Sequence, residues 1–246
     1  MSKKRRPLSS ISLLHYVKLI LRTALFILVL VYYILDRADK LKNFAPLPIG
    51  VWIFFVVEMV LRFFPSKLES MGCQKQFRHN YEAVGKDITP INQSPKRTAI
   101  VAVLWLALNA VIGILYFAGV FDRGILILIA LGFSVCDIIC ILFFCPFQTW
   151  FMKNRCCTTC RIYNWDFAMM FTPLIFIPGV YTYSLLGFAL LLLLRWEITY
   201  WRYPERFSVA TNKCLDCSRC EEKLCHHKKQ LQSFLKKYKH RFFGAR

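Results

Sequence analysis

Four apolar runs dominate the chain, and each comes close to or exceeds the roughly 20 residues that an α-helix needs to cross about 30 Å of hydrocarbon. They are "LILRTALFILVLVYYIL" at 19–35, "PIGVWIFFVVEMVLRFF" at 48–64, "AIVAVLWLALNAVIGILYFAGV" at 99–120 and "ILILIALGFSVCDIICILFFCPF" at 125–147. The 246 residues are 57% hydrophobic, with apolar side chains gathered into runs rather than dispersed as in soluble domains. The expected fold is all-α, a polytopic membrane helix bundle with four spans in 17–148.

A fifth apolar segment, 167–194, is longer than one crossing requires and contains Pro173 and then Pro178-Gly179. Proline removes an amide donor and clashes with the preceding turn, so a helix breaks or bends there. Basic residues favour a return to the side of entry. Lys and Arg flanking spans are retained on the cytosolic face. Four precede the first span, six lie in loop 66–97, three lie in 149–166 and 13 lie in the tail 195–246. A re-entrant or hairpin segment puts 26 basic residues inside against 4 outside, whereas a single crossing gives 13 against 17. The expected arrangement is a basic cytosolic N-terminus (1–16) before a first span that serves as an uncleaved anchor, a cytosolic Cys-rich loop (149–166) and a basic, Cys-rich cytosolic tail (195–246).

Seven of the eleven cysteines lie in two polar segments. "RCCTTC" carries Cys156, Cys157 and Cys160, and "CLDCSRCEEKLCHH" carries Cys214, Cys217, Cys220 and Cys225 followed by His226. Cytosolic thiols stay reduced, which favours metal or redox chemistry over a disulfide framework. Cys-x-x-Cys lets two thiolates reach one tetrahedral ion, and zinc takes four such ligands. Cys157 and Cys160 with Cys217 and Cys220 would supply them, clipping loop and tail together, with Cys156, Cys214, Cys225 and His226 as alternates. The tail spacing also approaches an iron-sulfur cluster run, although its last gap is four residues and no proline follows. Arg155 and Arg161 favour thiolate, and so suit dithiol redox chemistry as well.

Inside the fourth span, Cys136 and Cys140 share a helix face with Asp137 between them. An intramembrane carboxylate is costly and marks an ion path or a bundle interior, so Asp137 is the leading intramembrane candidate. Soft sulfur donors near Met169 and Met170 suit passage of copper(I). The structural alternative is that Asp137 accepts a hydrogen bond from Asn109 or from a hydroxyl on a facing helix. Glu58 is placed to pair with Arg62 four residues on, and Asp166 reads as a helix N-cap. Trp150, Tyr163, Trp165, Trp196, Tyr200 and Trp201 read as interfacial aromatics.

In the tail, Leu231, Phe234, Leu235 and Tyr238 recur at helical spacing, with Lys228, Lys229, Lys236, Lys237, Lys239 and Arg241 elsewhere. Such an amphipathic helix lies on anionic lipid headgroups. The net charge of +19 could also serve nucleic acid, but no nucleic-acid module accompanies it. A homo-oligomer or a membrane-complex partner is compatible with a bundle this small.

Taken together, "RCCTTCRIYNWDFAMMFTP", "RWEITYWRYPERF" and "CLDCSRCEEKLC" resemble a family of uncharacterised bacterial cysteine-rich integral membrane proteins, from about Asn154 through the tail. The resemblance implies a bacterial plasma membrane and brings no activity with it. No phosphate-binding loop, His-Glu-x-x-His, nucleophile elbow or paired-carboxylate site is present to suggest an enzyme.

Overall fold

The computed structural model describes residues 9–37, 46–85, 88–91, 94–154, 156–220 and 222. All regular structure among these is helical, and one isolated bridge joins Ala83 to Asn212. The helices are α1 (Ser10–Arg37), α2 (Pro46–Leu61), α3 (Met71–Gln74), α4 (Pro95–Phe117), α5 (Arg123–Leu142), α6 (Asp166–Phe171) and α7 (Val180–Arg202). Short 3-10 turns and one π turn at Phe147–Phe151 connect them.

Four helices are long and apolar enough to cross a membrane: α1, α4, α5 and α7. The set differs from the four expected runs. Helix α2 has 16 residues, about 24 Å at 1.5 Å each. It stops at Leu61 because a turn and then Pro65 follow, and proline supplies no amide to continue the ladder. The fourth long helix is instead α7, which runs past the expected limit of 194 to Arg202. At the other end, α1 starts at Ser10, so its first turns bury Ser12 and His15 inside the protein rather than trailing as part of a basic arm.

The segment after Asp166 goes through the bundle and comes back. Phe167, Met170, Phe171 and Leu174 follow the helical period and are all buried. The short α6 passes at Thr172–Phe176 into a 3-10 turn that contains Pro173, and the direction reverses at 177–179. Gly113 of α4 lets this arm come close, since a Cβ there would lie 2.4 Å from the Phe176 ring. Phe176 also meets Tyr116 and Phe117 at the end of α4. On the return, Glu197 of α7 accepts a hydrogen bond from Trp165 Nε1 at 2.7 Å, next to where the excursion began.

Contacts define two ends. At one, Tyr33 of α1 donates to Asp122, the α5 N-cap, at 2.7 Å, and Trp52 of α2 donates to Ser184 of α7 at 2.7 Å. At the other, loops 62–85 and 143–165 and the chain after α7 pack into one polar cap against the start of α1.

Charged groups hold the bundle near the cap. Arg22, 0% exposed, donates to Glu58 of α2 at 2.8 Å, to Asp137 of α5 at 3.0 Å and to the Ser134 carbonyl at 2.9 Å. Lys18 reaches Glu58 at 3.4 Å and Glu69 at 2.8 Å. Arg62 pairs with Asp166 at 2.5 Å and donates to Asn164 at 3.2 Å. Phe167 lies under both guanidinium groups, 5.8 Å from Arg22 and 4.5 Å from Arg62.

Three expectations are corrected here. Glu58 pairs with Arg22 and Lys18 rather than Arg62, because interhelical packing outweighs the few tenths of a kcal/mol available from an i,i+4 pair. Asp166 does not cap its helix: it is the first residue of α6, and its carboxylate goes to Arg62. Asn109 donates to Trp105 O in its own helix at 2.9 Å, leaving Arg22 as the partner of Asp137.

Removing one member of a buried ion cluster strands the others without water. Arg22→Met should therefore destabilise the fold by about 3–5 kcal/mol, measured as denaturant unfolding in detergent micelles. Wild-type stability in that variant would show that the cluster does not hold the helices.

Candidate functional site

The cap is built around Lys75, whose ammonium is wholly buried and donates to the carbonyls of Thr158 at 2.7 Å and Cys160 at 2.8 Å. The ammonium also lies over the Trp196 and Phe207 rings, at 5.2 and 5.5 Å. One lysine thus orders the turn of "RCCTTC" against α7 and the tail. Burial pushes the Lys75 ammonium down to about 7, opposed by the neighbouring Cys160 and Cys156. Gly72 allows the close approach of the next residues, since a Cβ there would sit 2.5 Å from the Tyr163 ring. Arg161 forms an ion pair with Glu197 and stacks 3.7 Å from the Tyr200 ring. Trp196 donates to Arg161 O at 2.9 Å. Trp165 and Trp196 are therefore packing and hydrogen-bonding groups of the cap rather than an interfacial belt, while Trp150 and Trp201 are exposed.

The tail is tied on by polar contacts. Asn212 is fully buried and donates to Arg206 O at 2.9 Å, and Lys213 N–H donates to Glu82 O at 2.8 Å. Glu222 accepts from Ser70 Oγ at 2.9 Å and from Met71 N–H at 2.5 Å, while its backbone carbonyl accepts from Ser12 Oγ at 2.7 Å. Burial pushes the Glu222 carboxyl up to about 7, with these donors opposing the shift.

Two cavities flank the "RCCTTC" turn. The first, about 320 Å³, is lined by Cys136, Cys140, Cys145, Cys157 and Cys160. Met169, Met170 and Asp137 also face it, with Trp105, Phe133 and Phe147 supplying apolar wall. Cys140 at the end of α5 and Cys145 beyond it are hydrogen-bonded thiol to thiol. Cys157 donates to Gln148 Oε1 at 2.8 Å, and burial pushes the Cys160 thiol up to about 11. The second cavity, about 360 Å³, is a polar cup that holds Cys214, Cys220, Thr158 and Glu222. Thr158 thus faces the cup while Cys157 and Cys160 face the chamber.

This placement separates the cysteines expected to share one ion. Cys157 and Cys160 open into the chamber, Cys214 and Cys220 line the cup, and Cys217 is exposed. Among the described residues, no three His, Cys, Asp or Glu side chains are gathered as a metal-holding group. Cys225, His226 and the lipid-facing set Lys228, Lys229, Lys236, Lys237, Lys239 and Arg241 lie outside the described residues. The chamber unites Cys157 and Cys160 with Cys136 and Cys140, two groups that spacing alone treats as unrelated. It also holds Cys145, the Cys-Pro step at the end of the fourth expected span, beside Met169 and Met170. The position of Cys145 between the end of α5 at Leu142 and Pro146, which opens the next turn, is the sequence signal.

No known protein family model matches the chain, and no curated protein or solved structure matches it either. The fold and this chamber carry the functional argument.

Because the folded protein holds a proton on Glu222 up to higher pH than the unfolded chain, that contribution to stability is complete below about 4.5 and is lost as pH rises through about 7. Lys75, shifted downward, acts above that window. Wild-type thermal stability in micelles should fall by up to about 3 kcal/mol across it, whereas Glu222→Gln, neutral throughout, should flatten the slope. An unchanged slope in the variant would assign the pH dependence elsewhere.

Proposed function

We propose that this is a multi-pass membrane protein that binds a thiophilic metal ion in the thiol-lined chamber, with the cap, both cysteine segments and both termini on the cytosolic face. The observation that carries the proposal is the convergence of five cysteines from α5, its flanking turn and the "RCCTTC" loop on one cavity with two methionines. Soft sulfur donors select soft ions. The two acids at this cavity, Asp137 and Asp166, are already paired with Arg22 and Arg62, which leaves sulfur as the available donor. The membrane disposition rests on the four long apolar helices and on the basic residues of the cap segments. In this arrangement the segment from α6 to α7 enters and leaves by the cytosolic side. Irregular backbone is accommodated there because neighbouring helices cover it.

Silver(I), a thiophilic probe, should protect the chamber cysteines of the solubilised, reduced chain from maleimide while leaving the exposed Cys217 reactive. Equal labelling of chamber cysteines with and without silver would refute the binding role. In sealed vesicles, labelling of Cys214, Cys217 and Cys220 by an impermeant maleimide from the extracytosolic side alone would refute the sidedness.

A further inference from the structure

We infer that Cys140 and Cys145 form a two-coordinate site for copper(I), an assignment that rests on the chamber being a soft-cation site. A tetrahedral ion such as zinc needs four ligands, and the described residues gather no group of three. A monovalent ion with a filled d shell is satisfied by two thiolates on opposite sides, so a pair is enough. Cys140 and Cys145 line this cavity together and are hydrogen-bonded to each other. They sit at the point where α5 stops at Leu142 and Pro146 starts the next turn, so two residues five apart are brought together by a helix end.

The surroundings fit this ion in three ways. Met169 and Met170 line the same cavity, and thioether sulfur is a neutral soft donor of the kind copper(I) accepts. The remaining wall is largely aromatic, from Trp105, Phe133 and Phe147, and a low-charge ion tolerates such surroundings better than a divalent one. The acids are occupied: Asp137 by Arg22 at 3.0 Å and Asp166 by Arg62 at 2.5 Å, which leaves hard cations without a carboxylate.

Binding replaces two S–H bonds by two S–Cu bonds. One positive charge arrives and two protons leave to solvent, so the complex carries a single negative charge with no change in oxidation state. The pairs Cys157–Cys160 and Cys140–Cys145 open on the same cavity. The loop pair is therefore the adjoining sulfur through which the ion would pass between the helix pair and the cap.

The test uses the full chain in detergent, reduced and anaerobic, titrated with copper(I) against a chromophoric copper(I) chelator. One ion should be held per chain, with two sulfur neighbours in the copper X-ray absorption spectrum. Cys140→Ser and Cys145→Ser should each weaken binding by more than about 100-fold, beyond the 10–100-fold typical of outer-sphere changes, and Cys136→Ser should not. Mass-spectrometric mapping of alkylated wild-type protein gives the same answer independently of variant folding: copper(I) should shield Cys140 and Cys145 and leave Cys136 labelled. Shielding of Cys157 and Cys160 alone would overturn this assignment and leave the soft-cation chamber standing. Failure of both copper(I) and silver(I) to shield any chamber cysteine would overturn both. A Cys140–Cys145 disulfide that cycles with a lipid quinone, without bound copper, would replace the assignment with dithiol chemistry.

Discussion

Arg22 is the side chain on which the arrangement depends. An arginine without exposed surface inside a helix bundle has to find its counter-charges there, because neither lipid nor water is available to solvate it. Its partners come from different helices, Glu58 from α2 and Asp137 with the Ser134 carbonyl from α5, so satisfying one guanidinium fixes three helices in register. Arg62 repeats the device one turn beyond Glu58 and draws in the start of α6 through Asp166. Phe167 fills the space between the two cations. Polar specificity thus chooses among the many ways in which apolar helices could pack.

The same network decides what the chamber offers a ligand. Without Arg22 and Arg62, Asp137 and Asp166 would be carboxylates in a cavity and natural ligands for hard cations. With them, their charge is spent on the fold, and sulfur remains the chief donor. The cap supplies the other half. Lys75 holds two carbonyls of the "RCCTTC" turn, and that turn sends Cys157 and Cys160 to one side and Thr158 to the other. A lysine inside the protein thus sets which cysteines face the membrane-side chamber.

Much of the helical architecture was legible because hydrophobic run length is a direct physical consequence of bilayer thickness. Three of the long helices lie where the runs place them, and the break near Pro178-Gly179 falls where proline and glycine predict it. The errors have a common cause. Run length does not register where a helix stops: the second run continues across the turn before Pro65 where α2 has ended at Leu61, and the last run ends before Arg195 while α7 continues to Arg202. Local spacing also misassigned the ion pairs. Glu58 and Arg62 are four apart on one helix, yet each has a partner on another helix, because tertiary packing brings charges together more firmly than i,i+4 adjacency does. Arg22 is a single charge in an apolar run, and its unpaired cost in lipid is the sequence signal that it has to be matched.

The cysteines show the same limit from another side. Cys-x-x-Cys spacing is informative when one short loop must supply every ligand, because the chain itself then enforces proximity. Here five thiols meet through three different elements: the last turns of α5, the turn after Pro146 and the "RCCTTC" loop. Nothing in the spacing of Cys145 and Cys160 connects them, yet both line one cavity. In a bundle whose acids are consumed by buried arginines, the chemistry left in the chamber is that of sulfur. Sulfur at a helix end, paired with sulfur five residues on, is a donor set for an ion that needs few ligands and little water.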